Sequence, residues 1–269
     1  MAIGLSTYAF FWRSSPAAPQ PLGLTAMLEE TAALGASVFQ ICDFPAVESM
    51  TPAELRGVRD HARSLGITLE LGTRGIAAAH LERYRELAAV LGVRFVRSML
   101  RTAEHKPSTA EAIDLLREVL PGYQDQGVTL GLETYEQVPT KDLVAVIRAV
   151  DSPNLGVCLD PGNCVARLEL PEQVIGQVAP YVVNMHVKDF MFTRQEGWVG
   201  FSLVGCRLGT GLLDYDSMVQ AVQPGLRGIS RVVEHWLPRV GTMEETCRTE
   251  QEWTRHSVEF LLSRSPPEP

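Results

Sequence analysis

The sequence predicts a single α/β domain that folds as a (β/α)₈ TIM barrel over residues 1–263. Three observations lead to this prediction: a length of 269 residues, β-rich runs that alternate with amphipathic stretches along the whole chain, and no linker or shift in composition between two halves. Barrels of this kind commonly form one domain of about 250 residues. An open, doubly wound parallel sheet is the alternative that the same pattern allows.

Eight runs of apolar and β-branched residues are predicted as the barrel strands. The stretches between them begin at Ser, Thr or Pro and end at Gly, which are the usual start and stop signals of helices. The predicted strands are residues 3–10, 37–43, 67–73, 95–101, 129–134, 155–160, 182–189 and 230–236, and the clearest predicted helices are residues 24–35, 51–66, 81–92 and 108–127.

The interval between the seventh and eighth predicted strands is unusually long. Residues 190–213 are predicted to form a lid-like loop over the site, because long loops inside a compact domain are usually functional. A short helix is expected around residues 216–222. Residues 264–269 are predicted to be a flexible tail.

Composition and charge exclude several classes of protein. The net charge of −8 comes without a cluster of Lys and Arg, so nucleic acid is not an expected partner. No apolar stretch approaches the roughly 18 residues of a membrane span, and the first residues lack the basic region of a secretion signal. The five cysteines show neither a disulfide framework nor a CxxC zinc spacing. We therefore expect a soluble, cytoplasmic protein with no membrane partner.

Each of the last four predicted strands turns one metal-ligating residue type towards the barrel interior. Side chains alternate along a strand, and the apolar parity should face the helices. This rule places the side chain of Val183 outside the barrel, and it directs inward, near the carboxyl ends of their strands, Glu133, Asp160, His186 and Glu234. TIM-barrel active sites lie at that end.

Three converging carboxylates would repel one another without a compensating cation. The sequence therefore predicts one divalent metal at this end of the barrel. Three oxygen ligands and one imidazole suit Mn²⁺ or Mg²⁺ and allow Co²⁺, and they are less selective for Zn²⁺.

Four segments carry a family resemblance: GLETYE, LDPGN, NMHVKDF and VVEHW. With these segments the chain resembles the sugar phosphate isomerase/epimerase superfamily, whose fold is the xylose isomerase-like TIM barrel. The resemblance implies that Glu133, Asp160, His186 and Glu234 hold one metal, and that Glu133 and Glu234 act as acid and base on opposite sides of the substrate. It also implies a small carbohydrate substrate and is compatible with a homo-oligomer.

The first functional prediction is a metal-dependent isomerase or epimerase of a small ketose, acting through a metal-stabilised enediolate. The alternative is a metal-dependent lyase that decarboxylates a 3-oxo sugar acid such as 3-oxo-isoapionate. The segments GLSTYAFFW and EGWVGFSLVGC resemble members with that activity. A cation near the metal, from Lys188, Arg194 or Arg207, would favour the alternative, because a carboxylate substrate needs a cationic partner.

Two further candidates come from positions beside the predicted ligands. Lys188 shares the parity of His186 and is predicted as a catalytic and substrate-binding residue, with a salt bridge to a neighbouring carboxylate as the alternative. Asn163 stands where many superfamily members have His. It can bind a substrate hydroxyl but cannot shuttle protons, which argues against a His-assisted epimerase mechanism. The DNA-repair branch of the superfamily needs additional zinc-binding histidines that this chain lacks.

Three weaker candidates for substrate binding are Glu70, Trp12 and Arg207. Glu70 has interior parity and is expected either to bind a substrate hydroxyl or to pair with Arg97 or Arg101. Trp12 is expected to form an apolar wall against a sugar face or to pack in the core. Arg207 lies in the predicted lid-like loop and offers a cation for a carboxylate substrate.

Overall fold

A computed structural model describes residues 2–264 of the chain. Eight parallel strands close into one barrel, which confirms the predicted fold class. These strands are β1 (Ile3–Ser6), β2 (Val38–Cys42), β3 (Thr68–Gly72), β4 (Phe95–Ser98), β5 (Thr129–Glu133), β6 (Leu155–Leu159), β7 (Val182–Val187) and β10 (Arg231–Val233). Consecutive strands are neighbours, and β10 lies between β7 and β1 to complete the ring.

Helices fill the intervals between the strands and cover the outside of the barrel. Capping boxes at Thr51 and Ser108 begin the third and fifth helices, and Gly127 ends the fifth in a left-handed conformation. The helices are α1 (Leu24–Ala33), α2 (Ala46–Ser49), α3 (Pro52–Ser64), α4 (Ala78–Leu91), α5 (Thr109–Gln126), α6 (Thr140–Val150), α7 (Pro161–Cys164), α8 (Pro171–Val178), α9 (Tyr215–Val222), α10 (Pro224–Arg227) and α11 (Met243–Ser263). Within the described residues, no helix is long and apolar enough to cross a membrane.

The apolar core lies between the strands and the helices. Leu130 and Leu132 of β5 are fully buried in it, as the alternation rule predicts for residues that face the helices. The barrel interior towards the carboxyl ends of the strands is instead polar and buried, with Gln40, Glu70 and Asn184 among its side chains. A buried polar interior is costly unless its groups pair with one another, so it marks the region to search for a site.

The side chain of Val183 corrects the predicted strand parity. The register between β6 and β7 shifts after Val157, which indicates a β-bulge. Val183 therefore lies against the interior positions Gly131 and Gly156, where an added Cβ would come within 3.4 Å and 2.5 Å of its side chain. The prediction that Val183 faces the helices is wrong, because the bulge adds one residue to the inward face.

Residues 190–213, predicted as a lid-like loop, contain an antiparallel hairpin of β8 (Phe190–Arg194) and β9 (Phe201–Gly205). The backbone N–H of Gly205 donates to the carbonyl of Trp236 at 3.1 Å. A Cβ on Gly205 would lie 2.6 Å from that carbonyl oxygen, so only glycine allows this approach. Whether the hairpin acts as a lid stays a prediction. The predicted tail lies outside the described residues except for Arg264.

Candidate metal and substrate site

The four predicted ligands meet at the carboxyl end of the barrel. Glu133 is the last residue of β5, Asp160 directly follows β6, His186 lies on β7, and Glu234 directly follows β10. One ligand atom from each residue can be chosen so that all four lie within 4.8 Å of one another, and all four residues are buried. The parity of the strands explains this convergence, because parallel strands deliver equivalent positions to the same rim.

The donor set fits a divalent cation. It offers three carboxylates and one imidazole, and such a mixture of hard oxygen donors with one nitrogen suits Mn²⁺ or Mg²⁺. Three buried carboxylates at this distance would otherwise repel one another strongly. The residues present therefore fit the predicted metal.

A hydrogen-bonded network lies beneath His186. Its Nε2 is 2.9 Å from Oε1 of Gln40, whose Nε2 donates to Oε2 of Glu70 at 3.0 Å. Asn184 also donates to Oε2 of Glu70, at 2.9 Å. Burial raises the pKa of Glu70 despite the hydrogen bonds that Ser230, Gln40 and Asn184 donate to it. Glu70 thus orients the amide of Gln40, which in turn contacts the imidazole of His186.

Glu133 is held by three partners besides its metal-facing position. Arg97 forms a buried ion pair with its Oε2, and Asn163 donates to its Oε1 at 3.1 Å. The Nδ1 of His186 lies 3.0 Å from the same Oε1. Burial would raise the pKa of Glu133, but the guanidinium of Arg97 and the imidazole of His186 together outweigh burial, and the pKa is lowered. The carboxylate is therefore ionised and ready to bind a cation.

Lys188 connects the two other carboxylates. Its Nζ lies 2.7 Å from Oδ2 of Asp160 and 3.3 Å from Oε2 of Glu234. Burial alone would lower the pKa of Lys188, but the charges of Asp160, Glu234 and Glu133 together outweigh burial and raise it. The ammonium also lies 4.3 Å from the centre of the Trp236 ring, a cation–π distance. Glu234 accepts a further hydrogen bond from Oγ of Ser6 at 3.1 Å.

A cavity of about 320 Å³ opens beside these residues. Its wall contains two of the four predicted ligands, three cations and three aromatic side chains that carry a hydroxyl or an indole N–H. The lining residues are Tyr8, Arg74, Arg97, Met99, Glu133, Tyr135, Glu136, Asn163, Ala166, Lys188, Glu234 and Trp236. The volume suits a small molecule.

Only two of the five predicted substrate-binding residues line the main cavity. Asn163 and Lys188 line the cavity. Trp12 lines a separate, smaller cavity of about 150 Å³, and its Nε1 donates to the carbonyl of Leu237 at 2.8 Å. The position of Trp12 therefore agrees with the alternative that it packs in the core, and Trp12 does not form part of the wall of the main cavity.

Arg207 and Glu70 also lie off the cavity wall. Nη2 of Arg207 is 2.7 Å from Nδ1 of His256, on the exposed side of the hairpin segment, so the prediction that Arg207 binds substrate is not supported by its position. Glu70 pairs with neither Arg97 nor Arg101 among the described residues, because the amides of Gln40 and Asn184 are its partners.

The sequence reasoning missed a charged cluster at the rim. Asp43, directly after β2, accepts from Nε of Arg74 at 3.0 Å and lies 3.2 Å from Nη1 of Arg97. The hydroxyl of Tyr8 donates to the same carboxylate at 2.9 Å. The interior parity of Arg97, whose register partners are Gly72 and Gly131, was a signal that could have found it.

Comparisons with known proteins agree with this architecture. The family model described as a xylose isomerase-like TIM barrel matches residues 28–264, which confirms the predicted family. Over 266 residues the chain is 60% identical to 3-oxo-isoapionate decarboxylase of Pectobacterium atrosepticum, covering 99% of this chain and 97% of that protein. This similarity favours the decarboxylase alternative over the isomerase or epimerase prediction.

Two solved structures share the fold. D-psicose 3-epimerase from Clostridium cellulolyticum H10 with D-tagatose has a TM-score of 0.73 at 16% identity, covering 98% of each chain. A xylose isomerase-like TIM barrel protein from Mycobacterium smegmatis in complex with magnesium has a TM-score of 0.68 at 18% identity, covering 96% of this chain and 97% of that one. At these identities the likeness concerns the fold alone. Because the family model matches residues 28–264 and the decarboxylase relative is 60% identical over 99% of the chain, the chain belongs to the xylose isomerase-like TIM barrel family of enzymes.

Proposed function

We propose that this enzyme is a divalent-metal-dependent decarboxylase of a 3-oxo sugar acid, with 3-oxo-isoapionate as the first substrate to test. The observation that carries the proposal is the 60% identity to 3-oxo-isoapionate decarboxylase over 99% of the chain. Glu133, Asp160, His186 and Glu234 are the proposed ligands of one Mn²⁺ or Mg²⁺ ion.

The charges of the cavity support a carboxylate substrate. Arg74, Arg97 and Lys188 all line it. A neutral ketose offers nothing that requires three cations, whereas a carboxylate gains charge-assisted hydrogen bonds from such groups. The predicted cationic partner is thus Lys188 or one of two arginines at the rim, and not Arg194 or Arg207.

The chemistry requires a sink for the electron pair that is released when CO₂ leaves. In a 3-oxo acid the bond between the carboxylate carbon and C2 breaks, its electrons form a double bond between C2 and C3, and the negative charge develops on the ketone oxygen. A divalent cation held by the four proposed ligands would supply a Lewis acid to stabilise this charge. The residues of the chain then have to orient the substrate and supply a proton to C2.

Lys188 and Glu234 are the proposed groups for the proton steps. Lys188 is held in its ammonium form between two carboxylates, so it can donate a hydrogen bond to the oxygen where charge develops. Within the described residues, the carboxylate of Glu234 contacts Ser6, Lys188 and His186, whereas Glu133 is fixed by Arg97 and Asn163. We therefore propose that Glu234 delivers the proton to C2 and that Glu133 orients the substrate.

The test is a reaction in D₂O with protein that has been stripped of metal and reloaded with Mg²⁺ or Mn²⁺. Proton and carbon NMR would follow 3-oxo-isoapionate, together with the neutral ketoses D-psicose, D-fructose and D-tagatose. Since 3-oxo acids also lose CO₂ without an enzyme, the blanks are metal-stripped protein and buffer with the same metal, and the Glu234→Gln variant is assayed beside them.

The expected result is metal-dependent CO₂ release above both blanks, with one deuterium left on the carbon that carried the carboxylate. Glu234→Gln should lose most of this activity, and full activity of the variant would remove Glu234 from the mechanism. Deuterium incorporation into a neutral ketose with its carbon skeleton intact, and no CO₂ from the acid, would overturn the proposal in favour of the isomerase or epimerase.

A further inference from the structure

The three cations of the cavity wall differ in how far their charges are already used. Arg97 is 4% exposed and is surrounded by acceptors: its Nη1 donates to the carbonyl of Thr73 at 2.9 Å and contacts Asp43, and its Nη2 pairs with Glu133. Lys188 is also 4% exposed and is shared by Asp160 and Glu234. The charges of both cations are thus already compensated by carboxylates of the chain.

Arg74 is the exception among the three. It follows β3 at the barrel rim, and its side chain is 54% exposed. Nε donates to Asp43 at 3.0 Å and Nη2 donates to the hydroxyl of Tyr8 at 2.6 Å. Within the described part of the chain, Nη1 has no hydrogen-bond partner. This nitrogen can therefore donate to a molecule in the cavity.

The partners of Arg74 are fixed in place. Asp43 has a φ of +47°, in the left-handed region that non-glycine residues rarely adopt, and such strained positions cluster at functional sites. Tyr8 donates to Asp43 while it accepts from Arg74, so the three side chains form a closed triangle. Asp43 also divides its charge between two guanidinium groups, which leaves the positive charge of Arg74 incompletely compensated.

We propose that Arg74 binds the carboxylate of the substrate and so makes the cavity select sugar acids over neutral ketoses, with Asp43 and Tyr8 as positioning residues. This inference rests on the proposed function, because it assigns a residue to the group that leaves as CO₂. An arginine is suited to it, since its planar donors match the geometry of a carboxylate.

The reaction itself favours an anchor separate from the metal ligands. The bond that breaks has to lie perpendicular to the plane of the ketone, so that its electron pair passes into the double bond between C2 and C3. A group that holds the carboxylate away from the ketone oxygen can set this angle. The leaving CO₂ is neutral, and a proton that ultimately comes from solvent water replaces it on C2, so atoms and charge balance.

Partial exposure of the anchor also serves catalysis. Every interaction that stabilises the carboxylate before the reaction is lost as it becomes CO₂, so a fully buried, unshared cation would slow the step. About half of the Arg74 side chain is exposed to solvent, and Arg74 shares the carboxylate of Asp43 with Arg97. Both features limit the stabilisation of the substrate carboxylate that is lost on decarboxylation. Arg74 orients the acid without holding its charge strongly.

The test measures binding of two unreactive ligands to the Mg²⁺-loaded enzyme by calorimetry. One is the sugar acid in which the 3-oxo group has been reduced to a hydroxyl, and the other is the neutral amide of the same acid. The variants are Arg74→Gln and Arg74→Lys, and the control is Arg83→Gln, which removes an arginine of α4 that is partly exposed and also has a carboxylate partner. Circular dichroism and thermal unfolding check that each variant is folded.

We expect the wild type and Arg83→Gln to bind the acid more tightly than the amide. Arg74→Gln should weaken acid binding about 10-fold or more, the size of a charge-assisted contact, and leave amide binding unchanged. Arg74→Lys should restore part of the preference, because the charge returns without the planar donors. In turnover, Arg74→Gln should raise KM for the 3-oxo acid more than it lowers kcat.

Two results separate this inference from the proposed function. CO₂ release with an unchanged preference for the acid in Arg74→Gln would overturn the role of Arg74 and leave the decarboxylase intact. An acid preference that depends on Arg74, without CO₂ release from any 3-oxo acid, would support the acid-binding role and overturn the decarboxylase. Failure of the wild type to distinguish acid from amide would also overturn the inference.

Discussion

His186 and Gln40 meet across the barrel interior, with Nε2 of the imidazole 2.9 Å from Oε1 of the amide. An amide oxygen only accepts, and the orientation of this amide is supported by its Nε2, which donates to Glu70. When a metal is bound, the neutral imidazole would therefore keep its proton on Nε2 and offer the lone pair of Nδ1 to the metal. Gln40 thus determines which nitrogen is available to a metal.

The first prediction follows from this contact. Gln40→Leu should lower Mg²⁺ affinity about 10- to 100-fold, because the imidazole loses the partner that fixes its tautomer and orientation. Calorimetric titration of metal-stripped protein measures the effect. The matched control is Gln177→Leu, at an exposed position of α8. Equal Mg²⁺ affinity in Gln40→Leu and the wild type would show that Gln40 has no such role.

The second prediction concerns removal of the metal. Three buried carboxylates repel one another, so a bound cation should stabilise the folded state. With free Mg²⁺ at one hundred times its Kd, the free energy of unfolding should rise by about 2.7 kcal/mol relative to protein in chelator. Thermal and urea unfolding with and without Mg²⁺ would measure the gain. His186→Ala should lose most of this response, and an undiminished response would exclude His186 as a ligand.

The third prediction concerns Asp189, which anchors the end of the hairpin segment. Each of its carboxylate oxygens accepts two backbone N–H groups, from Phe190 and Leu213 at 2.9 and 3.0 Å and from Gly209 and Gly211 at 2.9 Å each. Asp189→Asn replaces one oxygen by an NH₂ group that faces two donors. The loss should destabilise the fold by about 2–4 kcal/mol, because buried donors are left unsatisfied.

Urea unfolding measures the effect of Asp189→Asn. Asp214→Asn is the control, since Asp214 is an exposed N-cap of α9 and Asn caps helices equally well. Its stability should remain close to that of the wild type. Equal stability of the two variants would mean that the four hydrogen bonds of Asp189 contribute little.

The fourth prediction is a dependence of stability on pH that arises from Glu250. Its carboxylate is fully buried on α11, where it accepts the backbone N–H groups of Trp12 and Arg13 at 2.8 and 2.9 Å. Burial raises the pKa of Glu250 from 4.5 to about 7. Between these two values the folded state retains a proton that the unfolded state has lost, so stability from this group declines as the pH rises from 4.5 to 7.

Glu250→Gln should remove this part of the pH dependence. The free energy of unfolding of the wild type should fall with pH relative to the variant by up to about 3 kcal/mol across the window. Urea unfolding at several pH values between 4.5 and 7.5 measures the difference. Glu252→Gln, at an exposed position of the same helix, should run parallel to the wild type. Parallel curves for Glu250→Gln would contradict the raised pKa.

Much of the fold and of the metal site was accessible from the sequence. The strand and helix pattern predicted the barrel, and the alternation of side chains selected Glu133, Asp160, His186 and Glu234, which the structure brings together. These inferences succeed because the direction of a strand side chain is a local property that repeats every two residues. The bulge at Val183 shows the limit of the rule, since an added residue in one strand changes the parity without any signal in composition.

The tertiary structure alone decided which partners the long polar side chains choose. Tyr8, Asp43, Arg74 and Arg97 come from four different strand ends and meet at one rim, whereas Arg207, an equally plausible cation by sequence, pairs with His256. Arginine has several flexible torsions, and its position depends on which acceptors surround it. Local periodicity thus determined where the predicted metal ligands lie, and the competition among distant partners determined which cation remains for the proposed substrate.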